Sequence, residues 1–422
     1  MSEQISWLMA LQRFGMKPGL ERMEALLDAL DRPEKGIRTV LVGGTNGKGS
    51  TASMLAQSLR AAGVITGLFT SPHLTSVMER FVVAGRQLEA EQLEAVIDTV
   101  RPPATRLGAT FFEVLVACAW LLFRAAGCRT VVLEVGLGGR YDATNASDPA
   151  LSIITGIDLD HTAVLGETVE LVAADKAHLM RPGVTTLSGA AGEAAAVLRR
   201  HAERTGARLL LPGAGLSLGL EATDWSGTRL LVSSADWSLQ LHTPLPGRHQ
   251  ALNAALAACA AHLLGVPDEA ISSGIATTSW PGRLERLSAD DRVWLLDGAH
   301  NPSAARALSQ ALGELGARPG VLVLGLTADK DIAGITAELE GLAPLTVATR
   351  AELSPRALPP GELAARLSGS VLTADSPAEA LKLARQLSKP AELIVVAGSL
   401  YLLGEVRPLL SGQRPEGYER WQ

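Results

Sequence analysis

A chain of 422 residues is too long for one ordinary hydrophobic core and predicts two domains. Apolar residues make up 47%, yet no uninterrupted apolar run approaches the roughly 20 residues a membrane helix requires, so no membrane span is expected. The net charge of −6, with scattered basic residues, gives no footprint for nucleic acid. The opening residues, Met1-Ser-Glu-Gln-Ile, lack a basic region followed by an apolar stretch, so no signal peptide is expected. Cys118, Cys128 and Cys259 have no CxxC spacing and read as buried free thiols in a reducing, cytoplasmic setting.

In chain order, a helix is predicted over 20–30 and a buried strand over 39–43. A glycine-rich turn follows, then an amphipathic helix from about 49 to 62. Strands are predicted at 64–69, 130–135, 151–155 and 184–187, with helices at 89–99, 111–126 and 168–179. Residues 208–243 carry short alternating stretches that suit antiparallel strands, and helices follow at 249–264 and 267–275. Pro281 and Gly282, within Thr278–Arg283, mark a linker. Beyond it the alternation restarts, with strands at 292–297, 320–325, 344–348 and 393–397 and helices at 302–315, 331–339, 360–367 and 377–387. The pattern predicts an α/β fold: a mainly parallel sheet over 1–281 and a smaller α/β domain over 282–422.

The segment Gly44-Thr-Asn-Gly47-Lys48-Gly49-Ser50 joins the first strand to its helix. Strand, glycine turn and helix N-terminus aim several backbone N–H groups at one point, which favours a phosphate. Lys48 can reach the outer phosphates, and the Ser50 hydroxyl is placed for Mg²⁺. Glu134 ends the strand Val131–Glu134, and His161 follows the strand Ser152–Thr155; both therefore fall at carboxyl ends, where open α/β sheets bind ligands. A carboxylate there can ligate Mg²⁺ directly or through water.

The ordered set Gly44–Thr51, Thr70-Ser-Pro-His-Leu74, Leu133–Arg140 with Asp142–Asn145, Asp160-His161, Asp297-Gly-Ala-His-Asn-Pro302 and Gly398-Ser-Leu-Tyr401 resembles the folylpolyglutamate synthases, including the bifunctional dihydrofolate synthases of bacteria, in the Mur ligase superfamily. Departures are small: Leu41, Tyr141, Asp175 and His178 stand where the family commonly has other residues. The resemblance implies a P-loop-type first domain, a Rossmann-like second domain and an active site in the cleft between them. It implies ATP on Gly47, Lys48, Gly49 and Ser50, with Asn253, Arg283 and Asp297 as further nucleotide contacts. Ser71 and Glu134 would ligate one Mg²⁺ and His161 a second, with Lys176 matching a lysine that the family carbamylates.

On the pterin side, the resemblance points to Thr110, Phe112 and Glu113 together with Tyr141, Asp142 and Ala143. Phe112 offers a flat apolar surface and Asp142 accepts hydrogen bonds, whereas Phe111 reads as core. Residues 71–80 would form a loop over folate, held by Glu79 and Arg80. The implied reaction joins L-glutamate to dihydropteroate or to reduced folates through an acyl phosphate. Lys48 would stabilise the transferred charge, and His300 would position glutamate or accept its proton, with Ser399 a second candidate. Lys330 or Arg356 could pair with glutamate carboxylates. A monomer is expected, since one chain completes the cleft.

Overall fold

The computed structural model describes residues 2–14 and 17–413. Seventeen strands among them form two sheets. The first comprises β1 (Arg38–Gly43), β2 (Thr66–Phe69), β3 (Phe81–Val83), β4 (Arg86–Gln87), β5 (Thr130–Glu134), β6 (Pro149–Ile154), β7 (Thr185–Ser188), β8 (Arg208–Pro212), β9 (Gly215–Asp224), β10 (Gly227–Ser234) and β11 (Trp237–Thr243). Their order is β11-β10-β9-β8-β7-β6-β1-β5-β2-β3-β4. The middle, from β8 to β2, is parallel, and antiparallel ribbons extend it at both ends.

β1 is fully apolar apart from its first two residues because it is covered on both faces. Leu41, Val131 and Leu133 face a core built with the helices Glu21–Ala29, Ala90–Leu107 and Phe111–Ala125. Val40, Val42, Val132 and Ile153 face the other, built with the helices Lys48–Ala61, Arg248–Leu263 and Asp268–Ala276. The helix after the glycine turn, expected to be amphipathic, is buried on most of its circumference. Ten of its residues are buried, because other helices cover the side away from the sheet. Close approach requires a small residue: a Cβ at Gly274 would stand 2.4 Å from the Ser58 Cα.

The second sheet comprises β12 (Glu285–Ala289), β13 (Arg292–Asp297), β14 (Val321–Leu324), β15 (Leu345–Ala348), β16 (Ser370–Thr373) and β17 (Leu393–Ala397), in the order β12-β13-β17-β14-β15-β16. All its pairs are parallel except β12 with β13. The two-domain α/β expectation holds. Differences lie at its margins: the helices Glu3–Ala10, Gly192–Thr205 and Leu400–Leu410 and the short strands β3, β4, β12 and β16 were not anticipated. No helix among the described residues is long and apolar enough to cross a membrane, and all three cysteines are buried and free.

Candidate active site

The carboxyl ends of β1, β5, β6 and β13 open onto one cavity of about 850 Å³ between the two sheets. Every residue the sequence assigned to catalysis, nucleotide, metal or substrate lines it. At its centre is the glycine turn. Gly44 has φ +134° and a Cβ there would stand 1.8 Å from Thr155 Oγ1; Gly47 has φ +86° and its Cβ would meet Asn253 Oδ1 at 2.2 Å. Both positions need glycine on conformation and on space. Thr155 Oγ1 donates to Asn46 O at 2.6 Å, fixing the turn from below. Gly47 caps the following helix without any side chain bonding its first N–H groups.

Two lysines reach this turn and share the Gly44 carbonyl oxygen. Lys48 Nζ donates to Thr45 O at 3.0 Å and Gly44 O at 3.3 Å. Lys176 Nζ donates to Gly44 O at 2.9 Å. Burial, reinforced by the charge of Lys48, pushes the Lys176 ammonium down to about 7, and burial lowers Lys48 as well. The Ser50 hydroxyl is buried and has no hydrogen-bond partner among the described residues. Glu134, also buried, accepts the Ser71 N–H on Oε2 at 2.9 Å. Burial holds its carboxyl above the ordinary range, against the opposing charge of Lys48. His161 sits at φ +50°, with its side chain 39% exposed on the cavity wall. Partial desolvation of the ring within the cleft, followed by the Lys330 charge, lowers its pKa. No three His, Cys, Asp or Glu side chains cluster as a metal site among the described residues. The groups gathered here are instead a hydroxyl, a carboxylate, an imidazole and an amine.

The apolar end of the cavity is built by the start of the helix Phe111–Ala125. Thr110 caps it, and Glu113 Oε2 accepts the Thr110 N–H at 2.7 Å while Arg22 pairs with the same carboxylate at 3.2 Å. Thr110 and Glu113 thus spend much of their bonding capacity on shaping the wall. Phe111 is buried as core, whereas Phe112 is half-buried and lies against Gly136, where a Cβ would stand 2.6 Å from its ring. Asp142 accepts from Leu137 N at 3.0 Å, Thr144 N at 3.0 Å and Thr144 Oγ1. Burial nevertheless raises its carboxyl. Ala143 is buried beside it, and Tyr141 is exposed with Arg140 stacked at 4.9 Å. The segment after Ser71 is folded around Glu79, whose carboxylate accepts the N–H groups of Leu74, Thr75 and Ser76. Arg80, fully buried, donates to His73 at 2.9 Å.

The second domain supplies the remaining wall. Asp297 accepts the N–H groups of Leu284 and Ala299, each at 2.9 Å, and so shapes the turn leaving β13. Arg283 lies under that turn, so close that a Cβ on Gly298 would stand 2.2 Å from its guanidinium. His300 Nδ1 contacts Gly298 O at 2.7 Å and Nε2 faces Asp160 at 3.6 Å. Ser399 caps its helix by accepting from Tyr401 N. Lys330 bonds Asp160 at 2.6 Å, and Arg356 bonds the Tyr401 hydroxyl at 2.7 Å and Asp329 at 3.3 Å.

Residues 42–261 match the Mur ligase middle domain and residues 282–400 the glutamate ligase domain of Mur ligases. The chain is 34% identical to the dihydrofolate synthase/folylpolyglutamate synthase of Bacillus subtilis, covering 96% of this chain and 98% of that one. The structure of Escherichia coli FolC in complex with DHPP and ADP superposes with a TM-score of 0.90 at 32% identity, covering 97% of this chain and 98% of that one. The chain belongs to the dihydrofolate synthase/folylpolyglutamate synthase family of Mur ligases. A probable bifunctional folylpolyglutamate synthase/dihydropteroate synthase of Halobacterium salinarum is 38% identical over 96% of this chain. This chain spans about half the length of that relative and of a similar one from Haloferax volcanii.

Within this family frame, sequence reasoning missed two parts of the cavity. Gln12 and Lys17 line it from the N-terminal segment, a region with no motif to mark it. Asp160, quoted only as a motif neighbour of His161, gathers Lys330, His300 and Asn301 across the cleft. A carboxylate preceding a candidate ligand histidine was the available signal.

Proposed function

We propose that this chain is an ATP-dependent ligase that adds L-glutamate to dihydropteroate and to the γ-carboxylate of folyl-(poly)glutamates, giving ADP and phosphate. The observation that carries this reading is the convergence, on one cavity, of a glycine turn at a helix N-terminus, a flat apolar slot at Phe112 and a second-domain wall with His300, Lys330 and Arg356. ATP phosphates would lie on Gly47, Lys48, Gly49 and Ser50, with Asn253, Arg283 and Asp297 on the nucleoside side. The pteridine would enter against Phe112, beside Tyr141, Asp142 and Ala143. Its ring N–H groups suit the remaining acceptor capacity of Asp142.

A divalent cation fits the residues present, since the Ser50 hydroxyl is buried without a partner among the described residues and the buried Glu134 carboxylate lines the same cavity. Ser50, Ser71 and Glu134 would hold one Mg²⁺, and His161 with a carbamylated Lys176 would hold a second. Bound there, the ions lend positive charge to the phosphates during transfer. Lys48 would leave the carbonyls of Gly44 and Thr45 for the γ-phosphate as the substrate carboxylate attacks it. The amine of L-glutamate then attacks the acyl phosphate, phosphate leaves, and His300 receives or orients the amine proton. Ser399, Lys330 and Arg356 border the space left for glutamate.

The reading assigns residues 1–281 to the ATP- and folate-binding domain and 282–422 to glutamate ligation, within a monomer. Three buried thiols suit a reducing cytoplasm. The test is ADP formation with Mg²⁺ and L-glutamate, using 7,8-dihydropteroate or tetrahydrofolate as acceptor. Turnover with both, each product heavier by one glutamate, is the expected result. Turnover with tetrahydrofolate alone would restrict the chain to polyglutamate synthesis, and turnover with neither would overturn the proposal.

A further inference from the structure

One chain of hydrogen bonds crosses the cleft through Asn301, a residue given none of the roles above. Asn46, inside the phosphate-binding turn, donates to Asn301 Oδ1 at 3.1 Å and accepts from Asn301 Nδ2 at 3.0 Å. It also donates to Ser303 Oγ at 2.7 Å. Asn301 in turn donates to Asp160 Oδ2 at 2.9 Å, and Asp160 Oδ1 holds Lys330 at 2.6 Å. Residues 46 and 160 belong to the first domain, and 301, 303 and 330 to the second. Asn301 is 1% exposed, while the Asp160 and Lys330 side chains keep 8% and 10% of their surface.

Asn301 also caps the helix Pro302–Glu314, accepting the Ala304 N–H at 2.9 Å. Capping alone does not call for asparagine, because serine and aspartate cap about as well. What asparagine adds is an amide group with two donors, and both are used across the cleft, one on each element of the first domain. The amide orientation is fixed by these partners: a flip would set its NH₂ against the Ala304 N–H and its oxygen against the Asp160 carboxylate. His300 directly precedes it, so the placement of His300 follows that of Asn301.

Resting on the ligase reading, the geometry points to Asn301 as a positioning residue that couples the two half-reactions. It ties the shape of the phosphate-binding turn to the place of His300 and Lys330, so that phosphoryl transfer proceeds with the second domain set for amide formation. Without this clasp the turn still binds ATP, but acyl phosphate forms with the glutamate side misplaced and is lost to water.

Three variants test this. Asn301→Ser keeps the cap and removes both bonds across the cleft. Asn301→Asp keeps the cap and sets a second carboxylate against Asp160. Asn46→Ala breaks the same clasp from the turn without touching the cap. The readout is ADP released per amide formed, with thermal midpoint as the control for folding. The expected result is one ADP per amide in the unaltered protein, a ratio well above one in Asn301→Ser, and a higher ratio still in Asn301→Asp. The ligation rate should fall about tenfold or more in Asn301→Ser, the scale of a lost buried amide pair. The double variant Asn46→Ala/Asn301→Ser should lose less than the sum of the two singles, since both remove the Asn46–Asn301 pair and each removes one further bond of its own, to Ser303 or to Asp160. A ratio of one in Asn301→Ser at undiminished rate would overturn the proposal. Should the unaltered protein form no amide with either acceptor, the ligase reading itself has failed. The clasp is then judged on unfolding in denaturant: non-additive losses of stability in the Asn46/Asn301 cycle support it, and additive losses or none reject it.

Discussion

Lys176 invites the most direct perturbation. Its ammonium is pushed from 10.5 to about 7, chiefly by burial and then by Lys48, a cost of about 5 kcal/mol to the charged form. At pH 7 about half of the side chain is neutral, against about one part in 2,500 for an ordinary lysine. Only the neutral amine adds CO₂, so carbamate formation at Lys176 is favoured over surface lysines by about a thousandfold in reactive fraction. Lowering the pH to 6 leaves roughly a tenth neutral, and raising it to 8 leaves roughly nine tenths. The assay is ¹³C NMR of protein equilibrated with ¹³C-bicarbonate at these three values, with Lys176→Met as the blank. A carbamate resonance that grows from pH 6 to 8 and is missing from the blank is expected, together with loss of most ligase activity in Lys176→Met and retained binding of ATP. The same group affects stability. Between about pH 7 and 10.5 the unfolded chain holds this proton and the folded chain does not, so stability rises with pH, and Lys176→Met removes that slope. No carbamate at pH 8, or full turnover in Lys176→Met, would refute the reasoning.

Glu134→Gln should lower kcat by at least about a hundredfold, as loss of a group stabilising transferred charge does. In chelator it should also melt higher, since burial disfavours the native carboxylate above pH 4.5; an unchanged or lower melting point refutes the second part. Gly47→Ala introduces a Cβ at φ +86°, 2.2 Å from Asn253 Oδ1, and should cost about 1–2 kcal/mol or more in denaturant titration while abolishing binding of an ATP analogue. Glu79→Ala strips three backbone N–H groups of their acceptor and should raise the KM for the pteroate substrate more than that for ATP. Equal changes in both constants would show that residues 71–80 are not specific to the pterin side.

The parallel middle of the first sheet was legible because Val40–Val42 and Val131–Leu133 are apolar runs bounded by glycine or charge, as strands buried on both faces must be. The glycine turn was legible for a similar reason: its conformation demands residues that sequence displays. Helix Ala90–Leu107 was read too short because Pro102 and Pro103 usually end a helix. Here the carbonyls they deprive belong to Asp98 and Thr99, which are exposed and can turn to water. The buried character of Lys48–Ala61 was hidden, since the helices that cover it lie some two hundred residues downstream. Asn46 and Asn301 are 255 positions apart, and no periodicity links two asparagines brought together only by the closing of one domain on another.

The strand that carries the glycine turn is the seventh of eleven, with neighbours hydrogen-bonded on both sides and helices over both faces. Fraying of a sheet starts at its margins, here β11 and β4, and reaches β1 only after several ladders have opened. Partial unfolding therefore spares the glycine turn while it can dislodge the antiparallel ribbons, whose strand residues do not line the cavity. The two walls of the cavity therefore differ in how readily they yield: one hangs from the strand that opens last, and the other belongs to a separate six-stranded sheet with its own core.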